Sequence, residues 1–155
     1  FTIVPSECVF PIYQIRNRKL QQIENFRIEQ KFQIVNIADF CNDCGNCDTF
    51  CPTAGAPYID KAIFHLNETG FSEAEDGFFF KEKSLLWKSG NKLSTLENDT
   101  NCLKFEDEKI SAKFDSDTLK IQNYHLKNDE KDCDLQQVIT MAIFIKNLNL
   151  RFCYD

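Results

Sequence analysis

The chain is poor in the residues most reactions depend on. It has two histidines, one methionine, one tryptophan, four prolines and five glycines in 155 residues. The glycines at 45, 55, 70, 77 and 90 form no G-x-G-x-x-G pattern, so the sequence offers no dinucleotide-binding fingerprint. His65 and His125 fall in extended stretches without neighbouring acid or thiol partners and read as structural residues. No Ser/His/Asp arrangement and no paired-carboxylate signature stands out. Basic residues are outnumbered, with a formal net charge of −6. That balance argues against nucleic acid, whose phosphates call for clustered Lys and Arg. No apolar run approaches the ~20 residues of a membrane span, and the longest, Val138 to Ile145, is far shorter. Neither an internal repeat nor a low-complexity tract is present. The chain opens on Phe1 without a methionine or a recognisable signal peptide, and reads as a piece of a longer or processed polypeptide.

Cysteine is what the chain has in plenty. Eight are present: Cys8, Cys41, Cys44, Cys47, Cys51, Cys102, Cys133 and Cys153. Four of them crowd into one short stretch, a spacing suited to a shared centre and poorly suited to disulfides. The triplets Asn67-Glu68-Thr69 and Asn98-Asp99-Thr100 match the N-glycosylation pattern, but such triplets arise often by chance. The expected setting is therefore the reducing cytoplasm and not a secretory compartment.

The stretch reads Cys41-Asn42-Asp43-Cys44-Gly45-Asn46-Cys47-Asp48-Thr49-Phe50-Cys51-Pro52. This is C-x2-C-x2-C-x3-C-P, the bacterial ferredoxin run that ligates a [4Fe–4S] cluster. Thiolates two residues apart let one loop curl around a cluster, each sulfur reaching a different iron. Backbone N–H groups of such a loop then point at the cluster sulfurs. Gly45 relieves crowding where the backbone comes close. Pro52 starts a turn at a position that needs no N–H partner. Zinc favours two ligand pairs separated by a spacer, and the third and fourth cysteines here break that form.

Cys41, Cys44 and Cys47 are thus the firm ligands. In two-cluster ferredoxins the fourth cysteine of such a run serves the other cluster. Cys51 therefore either closes the same site, yields to a remote thiol among Cys8, Cys102, Cys133 and Cys153, or serves a second cluster completed elsewhere. The reading favoured here keeps Cys51 in the cluster environment. The plainer role for each remote cysteine is a small buried hydrophobe.

Around the motif, Phe32, Ile34 and Ile37 predict a strand entering the cysteine loop. Ile59 to Leu66 can extend again and pair back with Gln33 to Ile37, as a small ferredoxin-like half. Arg16, Arg18 and Lys19 form a basic cluster, followed by amphipathic stretches containing Ile23, Phe26 and Ile28. Later, Phe78-Phe79-Phe80, Leu85-Leu86-Trp87 and Leu93 to Leu96 are short apolar runs, with a tight turn at Ser89-Gly90-Asn91. Alternation through Leu103 and Phe105, then Ile110, Ala112 and Phe114, then Leu119 and Ile121 predicts an antiparallel β-meander. Its breaks fall at 107–109 and 115–117. Leu135, Val138, Ile139, Ala142 and Ile143 repeat at helical spacing, with Asp134 and Gln137 as a capping box. At least one ring of Phe78 to Phe80, or Trp87, is expected to contact a partner.

The expected fold class is α+β: a ferredoxin-like cluster segment over residues 1–66, then a β-rich domain over 67–155 with one C-terminal helix. The expected role is an electron-transfer module of a larger oxidoreductase. The alternatives are a structural or sensory iron–sulfur domain and a zinc-binding interaction module.

The stretch from Ile37 through Cys41, Cys44, Cys47, Cys51 and Pro52 continues into Gly55-Ala56-Pro57-Tyr58. Together with the later Glu75-Asp76-Gly77-Phe78, it resembles the C-terminal part of the large bacterial iron–sulfur flavoprotein of the YgfK type, named as a selenate reductase subunit. The resemblance implies a multi-centre oxidoreductase whose other regions are similar to the small subunit of NADPH-dependent glutamate synthase. Those regions would hold FAD and further clusters and use NADPH. It also implies flavoprotein or molybdenum hydroxylase partners in purine or selenium-related metabolism. None of that apparatus is in this chain, and the substrate in the family's name is not carried over.

Overall fold

A computed structural model describes residues 2–5, 8–28, 32–40 and 62–148. Short strands β1 (Thr2–Pro5) and β4 (Phe32–Ile37) flank a long hairpin of β2 (Cys8–Arg16) and β3 (Lys19–Ile28). A 3-10 turn at Ala38–Phe40 follows β4. Then come β5 (Ile63–His65), the short helix α1 (Glu68–Glu73) and β6 (Asp76–Lys81). Strands β7 (Ser84–Ser89), β8 (Lys92–Asp99), β9 (Cys102–Glu106), β10 (Ile110–Asp115) and β11 (Ile121–Leu126) continue the chain. It closes with β12 (Cys133–Asp134) and helix α2 (Gln136–Asn147).

Among the described residues, nine strands make one mixed sheet in the order β1-β4-β5-β6-β7-β8-β9-β10-β11. The remaining three form a second sheet, β12-β2-β3. From β6 to β11 every neighbour is antiparallel and consecutive in sequence. That is the meander the alternation predicts. Gly90, at φ +58°, supplies the left-handed residue of the β7–β8 turn at the expected place.

The fold is mostly β, and it corrects the α+β expectation with its separate ferredoxin-like segment. The stretch expected to pair back onto Gln33 to Ile37 does so, through Asn36 opposite Ile63 and Ile37 opposite Phe64. The pairing is parallel, however, and β5 continues in parallel onto β6. Strands on both sides of residue 66, β5 and β6 among them, belong to the same sheet. Val35 and Phe64 share one hydrophobic cluster with Leu85, Leu103 and Phe105.

The β2–β3 hairpin escaped the sequence reading for a physical reason. The bulge in this hairpin lies on β3, where Ile23 has no opposite residue as β2 passes from Ile12 to Tyr13. The two buried aliphatics of β2, Ile12 and Ile15, stand three residues apart, which mimics helical spacing. Pro11 is tolerated because β12 reaches only Gln14 and Ile15, leaving that side of β2 unpaired at Pro11.

Helix α2 lies between the two sheets, against β2 on one side and β1, β7 and β8 on the other. Val138, Ile139, Met141, Ala142, Ile143 and Phe144 are all buried, so the helix is apolar around most of its circumference, as an enclosed helix must be. The capping box is a second correction. Leu135 takes the N-cap position without a side-chain cap. Asp134 instead sits in β12 and binds Arg16 at 2.8 Å, while Gln137 reaches Asp107 at 3.4 Å.

Candidate functional site

Cys41, Cys44, Cys47 and Cys51 lie outside the described residues, in the connection 41–61. What the structure shows is how that connection is held at both ends. It leaves β4 through the 3-10 turn and returns into β5, the strand hydrogen-bonded beside β4. Adjacent parallel strands need a crossover of a dozen or more residues, and residues 41–61 provide it.

Three contacts close the base of this crossover. The Asn36 N–H donates to the Ala62 carbonyl at 2.9 Å. The Asp39 carboxylate accepts from the Leu66 N–H at 2.7 Å and from the Asn67 side-chain amide at 2.5 Å. Asn67 is itself the N-cap of α1, accepting from the Gly70 N–H at 2.7 Å. A residue two positions before Cys41 is thus tied to the first turn of the next helix. Sequence reasoning missed Asp39 and Asn67. The available signal was Asn67 followed by Glu68, a cap residue with an acid in the first turn.

Beneath the base, Phe64 is fully buried and stacks on Phe78 at 5.1 Å and Phe80 at 5.9 Å. Phe144 of α2 meets both Phe64 and Phe78 edge-on, at 5.0 and 5.1 Å. On the opposite face of the sheet, α1 lays Phe71 over Phe79 at 5.5 Å. The three consecutive phenylalanines therefore find partners within the chain, two toward α2 and one under α1. The side chain of His65 lies against Phe71, with Nε2 3.3 Å from the Asp76 carbonyl oxygen, a structural setting in keeping with its sequence reading. His125 sits exposed on β11.

The remote cysteines are placed as follows. Cys102 and Cys133 are buried, and Cys8 is half-buried. Burial, with Asp107 nearby, pushes the Cys133 thiol up to about 11, which disfavours the thiolate a metal ligand must supply. Cys102 lies on β9, four strand positions from β5 along the sheet, or about 19 Å at the usual strand spacing. These two fit the buried-hydrophobe role. Cys153 lies outside the described residues. Among the described residues, no group of three or more His, Cys, Asp or Glu side chains is placed to hold a metal ion. No helix among them is long and apolar enough to cross a membrane.

No protein-family model matches the chain, and no solved structure matches it. Over 55 residues, 35% of its length, the chain is 36% identical to the protein named "Putative oxidoreductase YgfK" of Escherichia coli strain K12. The protein of the same name from Escherichia coli O157:H7 matches to the same extent. The chain spans only 5% of the length of these relatives. The likeness is to a short part of a much longer protein.

Proposed function

We propose that this chain is an electron-transfer module, carrying one [4Fe–4S] cluster on Cys41, Cys44, Cys47 and Cys51 within a larger oxidoreductase assembly. The observation that carries the reading is the C-x2-C-x2-C-x3-C-P spacing of residues 41–52. The donor set suits the group: four thiols of one kind within a single connection, with no imidazole or carboxylate needed to complete it. When bound, such a cluster takes up and gives back one electron. The chain's own part is to hold it. Asn36 and Asp39 fix the base of the connection that bears the four thiols, through Ala62, Leu66 and Asn67. The rings under β5 keep that base from shifting.

No catalytic signature stands out in the sequence, so the reading assigns substrate chemistry to partners. These would be flavoprotein or molybdenum hydroxylase subunits in the cytoplasm, with FAD and NADPH bound there and not here. The partial identity to a protein named as an oxidoreductase supports the redox setting.

Purification under strict anaerobiosis tests the reading. A brown protein that gives an EPR signal on dithionite reduction supports it, with the signal lost in Cys44→Ser. A colourless protein holding one zinc would replace it with a zinc module. A cluster that no physiological donor reduces would leave a purely structural one. For Cys51, unchanged iron content and EPR spectrum in Cys51→Ser would remove that residue from the ligand set.

A further inference from the structure

A second feature of the molecule is independent of the cysteine loop. Where α2 begins, a cavity of about 540 Å³ opens between the end of the β7–β8 hairpin, the 107–109 turn and β12. Its floor contains Trp87 and Ser94, which pair directly across β7 and β8. On its other side Trp87 pairs with Phe78 of β6, and the two rings stack at 5.4 Å and 10°. Neighbouring strands lie about 4.8 Å apart, close to the separation of stacked rings. A row of directly opposed residues can therefore carry a continuous ring stack. Here the row runs Phe78, Trp87, and then stops at a serine. Ser94, only 6% exposed, takes the third position and puts a small hydroxymethyl group at the cavity floor.

The wall of the cavity carries both signs of charge, and most of it is already matched. Arg16 binds Asp134 at 2.8 Å. The Asp107 carboxylate accepts from the Lys109 and Ile110 N–H groups and from Gln137. The Asp132 carboxylate accepts from the Asn17 N–H at 2.9 Å, and Lys92, Lys109 and Glu108 remain along the rim. Counted together, the lining has three positive groups, Arg16, Lys92 and Lys109, against four negative ones, Asp107, Glu108, Asp132 and Asp134, so it favours neither an anion nor a cation strongly. It does offer neutral hydrogen-bonding groups, the Ser94 hydroxyl and the Gln137 amide, at the edge of the open ring position.

We propose that this slot binds an uncharged planar heteroaromatic ring, one or two fused rings in size, that stacks on Trp87 above Ser94 and presents N–H, C=O or ring-nitrogen groups to the cavity wall. Volume suits the assignment, since small-molecule sites usually span ~300–1,000 Å³.

Adenine is a suitable probe, with benzoate and tetramethylammonium as the charged comparisons. Equilibrium dialysis of the full chain should show saturable adenine binding, with benzoate and tetramethylammonium at least about tenfold weaker, a difference of ~1.4 kcal/mol. Trp87 is the only tryptophan, so its indole N–H resonance reports the site without a variant. It should shift with the same saturation curve. Ser94→Leu should fill the slot and weaken adenine by about tenfold or more, within the ~1–3 kcal/mol range of base stacking on an aromatic ring. The smaller Ser94→Val is read the same way where the leucine variant does not fold. No saturable binding, a Trp87 resonance that adenine leaves unmoved, undiminished binding in a folded Ser94 variant, or benzoate or tetramethylammonium binding as tightly as adenine would each overturn the proposal.

Discussion

Two regions of the one large sheet are built in opposite ways. From β6 to β11 each strand folds back on the one before it. The β6–β7 ladder alone runs six residue pairs, from Asp76 opposite Ser89 to Lys81 opposite Ser84. At β4, β5 and β6 the strands are parallel, and each junction has only two paired positions. A meander is held by its hydrogen-bond ladders and needs only short turns. A parallel junction has little ladder and needs long connections over the sheet face. In this molecule the aromatic cluster around Phe64 substitutes for the missing ladder. The two crossovers become α1 and the connection that bears the four clustered cysteines. The four clustered cysteines lie in the connection between β4 and β5, two strands paired at only two positions.

The largest expected effect comes from breaking that packing. Phe64→Ala should cost about 3–5 kcal/mol in a urea unfolding experiment, as for other large-to-small changes in a close-packed core. A cost below about 1 kcal/mol, the scale of a single net hydrogen bond, would mean the junction does not rest on these rings. Next is Gly77→Ala, at the start of β6 beside β5. Gly77 has φ +142°, and an added Cβ would lie 2.5 Å from His65 Nε2 and 3.2 Å from the Ile63 carbonyl oxygen. Strain of this kind costs about 1–3 kcal/mol. Adding His65→Ala should recover only part of it, because the backbone angle remains. A full recovery would assign the whole cost to the ring contact.

Smaller and more local is Asp39→Ala, at about 1 kcal/mol for the lost hydrogen bonds. Hydrogen exchange at the Leu66 amide should speed up while the meander amides stay protected. Uniform acceleration would show that the two regions open together. The smallest effect is a pH dependence. Burial holds the Cys133 thiol at about 11, above its ordinary value of 9.0, so the folded state keeps a proton that the unfolded chain releases first. That contribution is complete below pH ~9 and is lost as pH rises toward 11. Cys133→Ala should flatten this alkaline slope in thermal unfolding. Asp115 behaves in the opposite sense. The Thr118 N–H and hydroxyl and the Asp117 N–H hold its carboxyl below the usual range, so its contribution fades as the solution is acidified.

The contrast between the regions also explains what the sequence made legible. The meander could be read because Leu103, Phe105, Ile110, Ala112 and Phe114 keep strict alternation and the turns are marked by Asp, Ser and Gly. Helix α2 was legible from its 3.6-residue period, but its enclosure between two sheets was not, since burial around most of its circumference follows from β2 folding over it. The β2–β3 hairpin was hidden because the buried residues of β2, Ile12 and Ile15, do not keep a period of two. The parallel β4–β5–β6 junction was hidden because parallel pairing is decided by distant strands and leaves no local turn signal. For the candidate site, the four cysteines announce themselves by spacing. Their anchors Asp39 and Asn67 do not, because a carboxylate and an amide 28 positions apart carry no local pattern.

The proposed four-iron cluster would be held by the connection between β4 and β5. Iron and acid-labile sulfide measured on anaerobically reconstituted chain test it most directly. The expected result is four of each per chain, falling sharply in Cys41→Ser, Cys44→Ser and Cys47→Ser. Iron without sulfide, or no iron retained by the folded wild-type chain, would contradict it.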